Sequence, residues 1–599
     1  MVNIKQRFYV SCCPISCKGK HQEDQIALLV NENLDDEDEI LQQQQQNVTS
    51  TEINDDDDNF VEYNISLINS LCKNKLKLLQ KRINGHQENV FLVIDDIDSK
   101  NIQDTYEFVR GDKIKAIKIK FIQLFNRFKQ ADLHKFFNMV QSLANLEILQ
   151  ISNQDDIFQN NPTRMKIPLF QPTRNGSLSK LKHFSLNSTL MQLNYQTLQN
   201  FEKVLTSQQE DQGCLESFNL FTVECELDKK SFRFINNILY FNRNTLKNID
   251  IKVAECDFDQ DNPINEIGKS IQEMKELQQI TLQLNLIQSE FELVNTNLLK
   301  FFEGISKCKS LNLNQISIIL LNVYVLSCSK VGEYISRIPS LSYFGPISVT
   351  QAVEMGIALG KSQHLTNLKI YSKSNQMALM LSYILHFSKT LQKVHIDYQG
   401  KRLLSYKEIY TGLKSNQSVD DITITTSDSI ATNIKGLSYI GKGIALNQTI
   451  KKIGIMYYSK GDFDYFYKFF EYISSSKSIE QINFDFQSDN KLDKFDPKAL
   501  SSRLTQIKNL QEFHFGFNPF QQKKKNGKLD YIKLLKGLLD HKYSFNIQLS
   551  DSYQDIEEIT DNIYSECENQ ILTSIAFNKI ISPFLHYHPV RHIGDLHFA

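Results

Sequence analysis

Cys12, Cys13 and Cys17, with His21 four residues on, form the chain's cysteine cluster, and thiolates with an imidazole are zinc ligands. Adjacent cysteines do not easily both reach one tetrahedral ion, and no second pair follows at a zinc-finger spacing. The expectation is an ordinary tail without metal. Acylation of Cys12 and Cys13, with Lys18 and Lys20 nearby, is the second reading and would bring a peripheral membrane contact. At the other end His586, His588, His592 and His597 crowd together with Asp595 as their carboxylate, and a polar cap on the last repeat is expected there rather than a metal. Asp95, Asp96 and Asp98 follow an apolar run; such carboxylates can hold a metal, but more often they end a strand in solvent. Lys523, Lys524 and Lys525 beside Asn526-Gly527 read as a solvated loop. The sequence has no complete G-x-x-x-x-G-K-[ST] phosphate loop, Gly443 standing where Ser or Thr would follow Gly441-Lys442, and no nucleophile elbow or metalloprotease helix, so a non-enzyme without a cofactor is expected.

Whole-chain composition narrows the partners. With 67 basic and 69 acidic residues among 599 the formal net charge is −2, which gives no global field for a polyanion, so nucleic acid is not expected. No apolar run approaches the length of a membrane span, and Met1 to Lys20 lacks the apolar core of a secretory signal. A soluble, cytoplasmic chain follows as the expectation, its ten scattered cysteines reduced and mostly buried.

The elements that would position any site are written in a six-residue spacing, apolar-x-x-apolar-x-apolar. Clear copies are Leu146/Leu149/Ile151, Leu246/Ile249/Ile251, Leu365/Leu368/Ile370, Leu391/Val394/Ile396 and Ile450/Ile453/Ile455. Less regular ones sit at Ile114/Ile117/Ile119, Leu313/Ile316/Ile318 and Leu341/Phe344. Fourteen copies between residues 114 and 510 recur at about 30 residues, a period that means a stacked solenoid rather than separate domains. Side chains of a strand alternate, so the fourth and sixth positions share one face.

Helical periodicity fills the intervals, as in Tyr195–Thr206, where Leu198, Phe201 and Leu205 fall on one helix face. Similar segments are expected at 230–240, 265–274, 292–305, 376–387, 406–413, 463–473 and 496–507. Residues 1–60 include Asp35 to Glu39, Gln42 to Gln46 and Asp55 to Asp58, an acidic tract expected to be largely disordered. Residues 61–110 read as an N-terminal cap: a helix from Tyr63 to Leu79, then a strand over Val90–Ile94. The solenoid would occupy 111–520, and 521–599 a C-terminal repeat or cap.

The motif resembles the L-x-x-L-x-L strand of leucine-rich repeat proteins, and its period with a full helix is similar to the ribonuclease-inhibitor-like subclass. Divergent copies, glutamine tracts and the absence of tryptophan are similar to protozoan leucine-rich repeat families. That resemblance implies an α/β horseshoe, with a parallel sheet on the concave face and helices on the convex face. The family usually places Asn or Cys after the motif; here Gln154, Thr189, Val223, Ala254, Ser427 and Tyr458 stand there, and Asn285 and Asn518 match. Without a regular asparagine ladder, uneven turns are expected.

Outward positions three, five and seven would then line the concave sheet. They are mainly polar, with Phe221, Ile319, Tyr343, Ile347 and Tyr371 as apolar or aromatic residues among Lys369, Lys393 and His395. That composition suits the centre of a protein interface. Tyr343 and Ile347 belong to the least regular copy, where packing on a distorted turn is the alternative. The leading functional expectation is a protein-binding scaffold. A ubiquitin-ligase substrate adaptor, a GTPase activator, or a structural subunit of a cytoskeletal or ciliary assembly are the alternatives.

Overall fold

The computed structural model describes residues 60–66, 89–153, 178–223, 226–321, 327–518 and 544–549, apart from short stretches within those ranges. The cluster Cys12–His21, the tract 31–59, Lys523–Lys525 and the histidines from His586 to His597 fall outside the described residues. The chain divides into two compact units, residues 1–225 and 226–599.

In the first unit, β1 (Phe60–Ser66), β2 (Asn89–Ile97), β3 (Ile114–Phe121), β4 (Ile148–Asn153), β5 (His183–Thr189) and β6 (Ser217–Val223) pair in chain order, all parallel. Parallel neighbours need a crossover between them. A short 3-10 turn (Ile102–Glu107), α1 (Gln130–Gln141) and α2 (Tyr195–Thr206) lie in those crossovers. Register places Tyr63, Leu92, Ile117, Leu149, Phe184 and Phe218 in one row across the sheet.

β1 corrects the expected capping helix. Tyr63 to Ser66 continue an extended strand from Phe60, with Tyr63 opposite Leu92 and Ile65 opposite Ile94. Four apolar residues spaced by two or three fit either period over so short a stretch, and pairing with β2 selects the strand. The rest of the expected helix, residues 67–79, lies outside the described residues. The expected strand over Val90–Ile94 lies within β2.

The second unit repeats the arrangement. The two-residue β7 (Glu226–Leu227) pairs with the end of β8 (Asn248–Phe258). Then β9 (Gln279–Leu286), β10 (Gln315–Leu321), β11 (Ser340–Phe344), β12 (Asn367–Ser372), β13 (Lys393–Tyr398) and β14 (Asp421–Ser427) follow, each parallel to the last. The sheet continues through β15 (Lys452–Ser459), β16 (Gln481–Ser488), β17 (Glu512–Asn518) and β18 (Ser544–Leu549). Between the strands run α3 (Lys229–Phe241), α4 (Ile264–Gln272), α5 (Phe291–Ser306), α6 (Cys328–Ile335) and α7 (Val349–Gly360). They are followed by α8 (Asn375–Phe387), α9 (Leu403–Ser415), α10 (Thr432–Leu446), α11 (Asp464–Ile473) and α12 (Pro497–Leu504). The helical segments expected from periodicity match α2 to α5, α8, α9, α11 and α12 to within a few residues at each end.

Fourth and sixth motif positions are buried on every copy from Ile117/Ile119 to Ile482/Phe484, and the helices close over them. Phe184 on β5 meets Phe201 of α2 at 5.4 Å between ring centroids, and Phe484 on β16 meets Phe466 of α11 at 4.8 Å. Strands sit about 4.8 Å apart and packed helices about 8–10 Å apart, so within a unit the layers bend with the sheet on the inside.

One copy is framed differently from the sequence reading. In β11 it is Leu341 and Tyr343 that align with Ile316/Ile318 and with Leu368/Ile370, so the motif runs Ile338/Leu341/Tyr343 and not from Leu341 to Phe344. Tyr343 is therefore a core residue, with 0% exposure.

A polar ladder stands three residues before the first motif position of many copies. Asn447 donates from Nδ2 to the carbonyls of Leu413 (2.9 Å) and Asn416 (2.8 Å), while its Oδ1 accepts from the amides of Thr449 (2.8 Å) and Ile450 (2.9 Å). Asn416 makes the equivalent bonds to the Leu385 carbonyl (2.7 Å) and from the Ser418 (2.9 Å) and Val419 (2.7 Å) amides. Ser310, Ser362, Ser388 and Ser476 hold the same buried place with one hydroxyl. Each rung ties its own turn to the repeat, and the donors reach back to the preceding one. These buried backbone groups would otherwise be orphans.

Candidate partner-binding surface

Because the register is in step from β8 to β18, positions three, five and seven of each strand form three straight rows on the sheet face opposite the helices. On β12 to β15 the fifth-position row reads Lys369, His395, Thr423 and Gly454. The seventh-position row reads Tyr371, Asp397, Thr425 and Met456.

Four of the expected residues come together here. The Lys369 ammonium lies 4.8 Å from the Tyr371 ring centroid, and both side chains are partly exposed. Such a pair stacks a cation on the negative face of the ring. His395 pairs in register with Lys369, and its Nε2 is 3.0 Å from Thr425 Oγ1. Burial, reinforced by the Lys369 charge, holds the imidazole down to about 4, so at neutral pH it is an uncharged hydrogen-bonding ring. Lys393 stands exposed in the third-position row, beside Asp421, which is followed by Lys452.

The remaining expected residues are elsewhere. Ile319 is partly exposed in the seventh-position row of β10, two strands from Tyr371. Phe221 is partly exposed on β6 in the first unit. Ile347 lies outside the described residues. Tyr343 leaves the surface altogether: its hydroxyl is buried with no hydrogen-bond partner, and burial followed by the neighbouring Cys328 thiol pushes the phenol well above its ordinary value.

Two neighbours extend the patch beyond the residues singled out from sequence. Thr425 hydrogen-bonds both ways, to His395 and to the Met456 sulfur at 3.6 Å, and Met456 is 39% exposed. A Cβ on Gly454 would sit 2.8 Å from Thr423 Oγ1, so the missing side chain makes room for the Thr423 hydroxyl beside it. Both residues were legible as outward positions of their motif copies; methionine and glycine on a wet face are the signal. The sheet face thus offers an aromatic ring with its cation, a neutral imidazole and a thioether.

Candidate chemistry is sparse. Among the described residues no group of three or more His, Cys, Asp or Glu could hold a metal ion. After β2, Asp98 accepts from the Lys100 amide at 2.7 Å and so closes the turn that ends the strand. Cys214, Cys308 and Cys328 are unbridged, and burial raises Cys308 and pushes Cys328 up to about 12, which keeps both as inert thiols. No described helix is long and apolar enough to cross a membrane. Compared with known proteins, the chain matches no family model, and the curated proteins yield no significant match.

Proposed function

We propose that this chain is a leucine-rich repeat protein of the ribonuclease-inhibitor-like kind that acts as a non-enzymatic scaffold, binding a protein partner on the sheet face of β12 to β15. The observation that carries the reading is the Lys369–Tyr371 pair beside His395, Thr425 and Met456 on a face turned away from the helices. A wide sheet with in-register rows supplies binding area, and the paired ring and cation supply the anchor. Neither role needs a cofactor.

The test is partner recovery from native cells by proximity labelling, followed by direct binding of the recovered protein to the wild-type chain and to a Lys369→Ala/Tyr371→Ala variant. Loss of an anchor of this kind weakens binding by about 2 kcal/mol or more, roughly thirtyfold, while the thermal transition stays in place because both side chains are partly exposed. Unchanged affinity for the recovered partner would remove this patch as the site.

A further inference from the structure

The outer helices of the second unit treat their lysines in two different ways. Around α4 and α5 carboxylates neutralise three lysines, though not the exposed Lys300 of α5: Lys269 on α4 pairs with Glu266 at 2.8 Å, and Lys307 and Lys309, just past the end of α5, pair with Glu303 at 2.6 Å and with Glu273. These are the ordinary solvated pairs of a helix surface. On α8 to α10 the pattern changes. Neither α8 nor α10 contains an acidic residue, and α9 contains only Glu408. Lys407, Lys414 and Lys442 are exposed, and no carboxylate among the described residues lies within ion-pair distance of them.

Tyrosine takes the place of the carboxylate. Lys407 on α9 lies 5.9 Å from the Tyr439 ring on α10, and Lys442 on α10 lies 5.8 Å from the Tyr410 ring on α9, a crossed pair. On α8, Tyr383 stacks on Phe387 at 6.3 Å, and Phe387 is 37% exposed. His386, edge-on to Phe387 at 4.9 Å, reaches α9 through Ser415 Oγ at 3.2 Å. A ring holds an ammonium in place without cancelling its charge, so this surface keeps its positive field where a glutamate would have removed it.

We propose that the outer face of α8 to α10 is a second docking surface, for an acidic polypeptide segment. Charge complementarity selects the chemistry: oriented, unneutralised cations between half-exposed rings suit carboxylates carried on an extended backbone. Spacing agrees, since neighbouring helices stand about 8–10 Å apart and a polyproline II segment, with three residues per turn and about 3.1 Å rise per residue, brings an Asp or Glu at every third position onto one face about 9 Å apart. Binding here leaves the sheet face free, so one chain would hold two partners at once.

The test uses the full chain and a fluorescent peptide with Glu at every third position, alongside the same peptide with Gln in place of Glu and vesicles containing anionic lipid. The Glu peptide should bind, the Gln peptide should not, and affinity should fall as salt is raised. Lys407→Glu/Lys442→Glu should weaken the Glu peptide by on the order of tenfold or more with an unchanged thermal transition, because both side chains are exposed. Lys407→Gln/Lys442→Gln, which adds no repulsion, should give a smaller loss in the same direction. Lys369→Ala/Tyr371→Ala should bind the Glu peptide as the wild type does, which separates this surface from the sheet face. Absence of peptide binding, peptide binding indifferent to the lysine substitutions, or binding to anionic vesicles without binding to the peptide would each overturn the proposal.

Discussion

Gly304 on α5 and Gly268 on α4 meet backbone to backbone: a Cβ added to Gly304 would overlap the Gly268 carbonyl. Neither glycine serves a turn; both sit inside helices, where the residue ordinarily costs about 1 kcal/mol relative to alanine. Close approach of neighbouring helices is the compensating gain, and it limits how far the helical layer splays from the sheet.

Gly304→Ala should therefore destabilise, against helix propensity. The overlap is with backbone, which cannot rotate away, and overpacking of this kind costs about 1–3 kcal/mol. A thermal or urea unfolding midpoint read against wild type checks the sign; a rise would mean that the helices are free to separate.

Tyr343 gives the opposite prediction. Its ring fills the sixth motif position of β11 with 0% exposure, but its hydroxyl has no partner. Tyr343→Phe keeps the ring and removes the buried orphan, so stability should rise by about 1 kcal/mol. Tyr343→Ala should cost about 3–5 kcal/mol through the cavity it leaves. Denaturant unfolding of the two variants separates core packing from any surface role.

Asn447 should matter far more than its neighbour Gln448. Asn447→Ala strands buried backbone groups of Leu413, Asn416, Thr449 and Ile450, at about 1–3 kcal/mol for each that stays unpaired, while Gln448 is exposed. Amide hydrogen exchange should rise first at Thr449 and Ile450 in Asn447→Ala. Equal effects from Asn447→Ala and Gln448→Ala would contradict the ladder.

His395 makes stability depend on pH in a defined direction. Its folded value is depressed to about 4 from an ordinary 6.5, so between those values the unfolded chain binds the extra proton. Stability then rises with pH in that window and is lost as pH falls from about 6.5 towards about 4. His395→Asn should flatten that part of a stability-against-pH curve, and an unchanged slope would show that the ring is not held neutral.

Much of this was legible in the chain. A period near thirty residues, with Leu368/Ile370 and Val394/Ile396 at fixed offsets, fixes alternation of strand and helix, because only one face of each element can be apolar. Lys369, Tyr371, Lys393 and His395 followed as outward residues from the same offsets. The ladder was also legible, as Ser388-Lys389-Thr390-Leu391, Asn416-Gln417-Ser418-Val419 and Asn447-Gln448-Thr449-Ile450, but lay on the side of the motif opposite to the one the family resemblance emphasises.

By itself, the sequence determined the repeat, the strand-and-helix alternation and the inward face of the regular copies, because those follow from local periodicity. Tertiary structure alone decided register where the spacing is irregular: Tyr343 turns inward because β11 must align with Ile318 and Ile370 on its two neighbours, and Tyr63 lies in a strand because β2 pairs with it. It also decided which side chains become neighbours across repeats, Lys369 with His395 and Lys407 with Tyr439, since residues about thirty positions apart meet only when strands and helices stack.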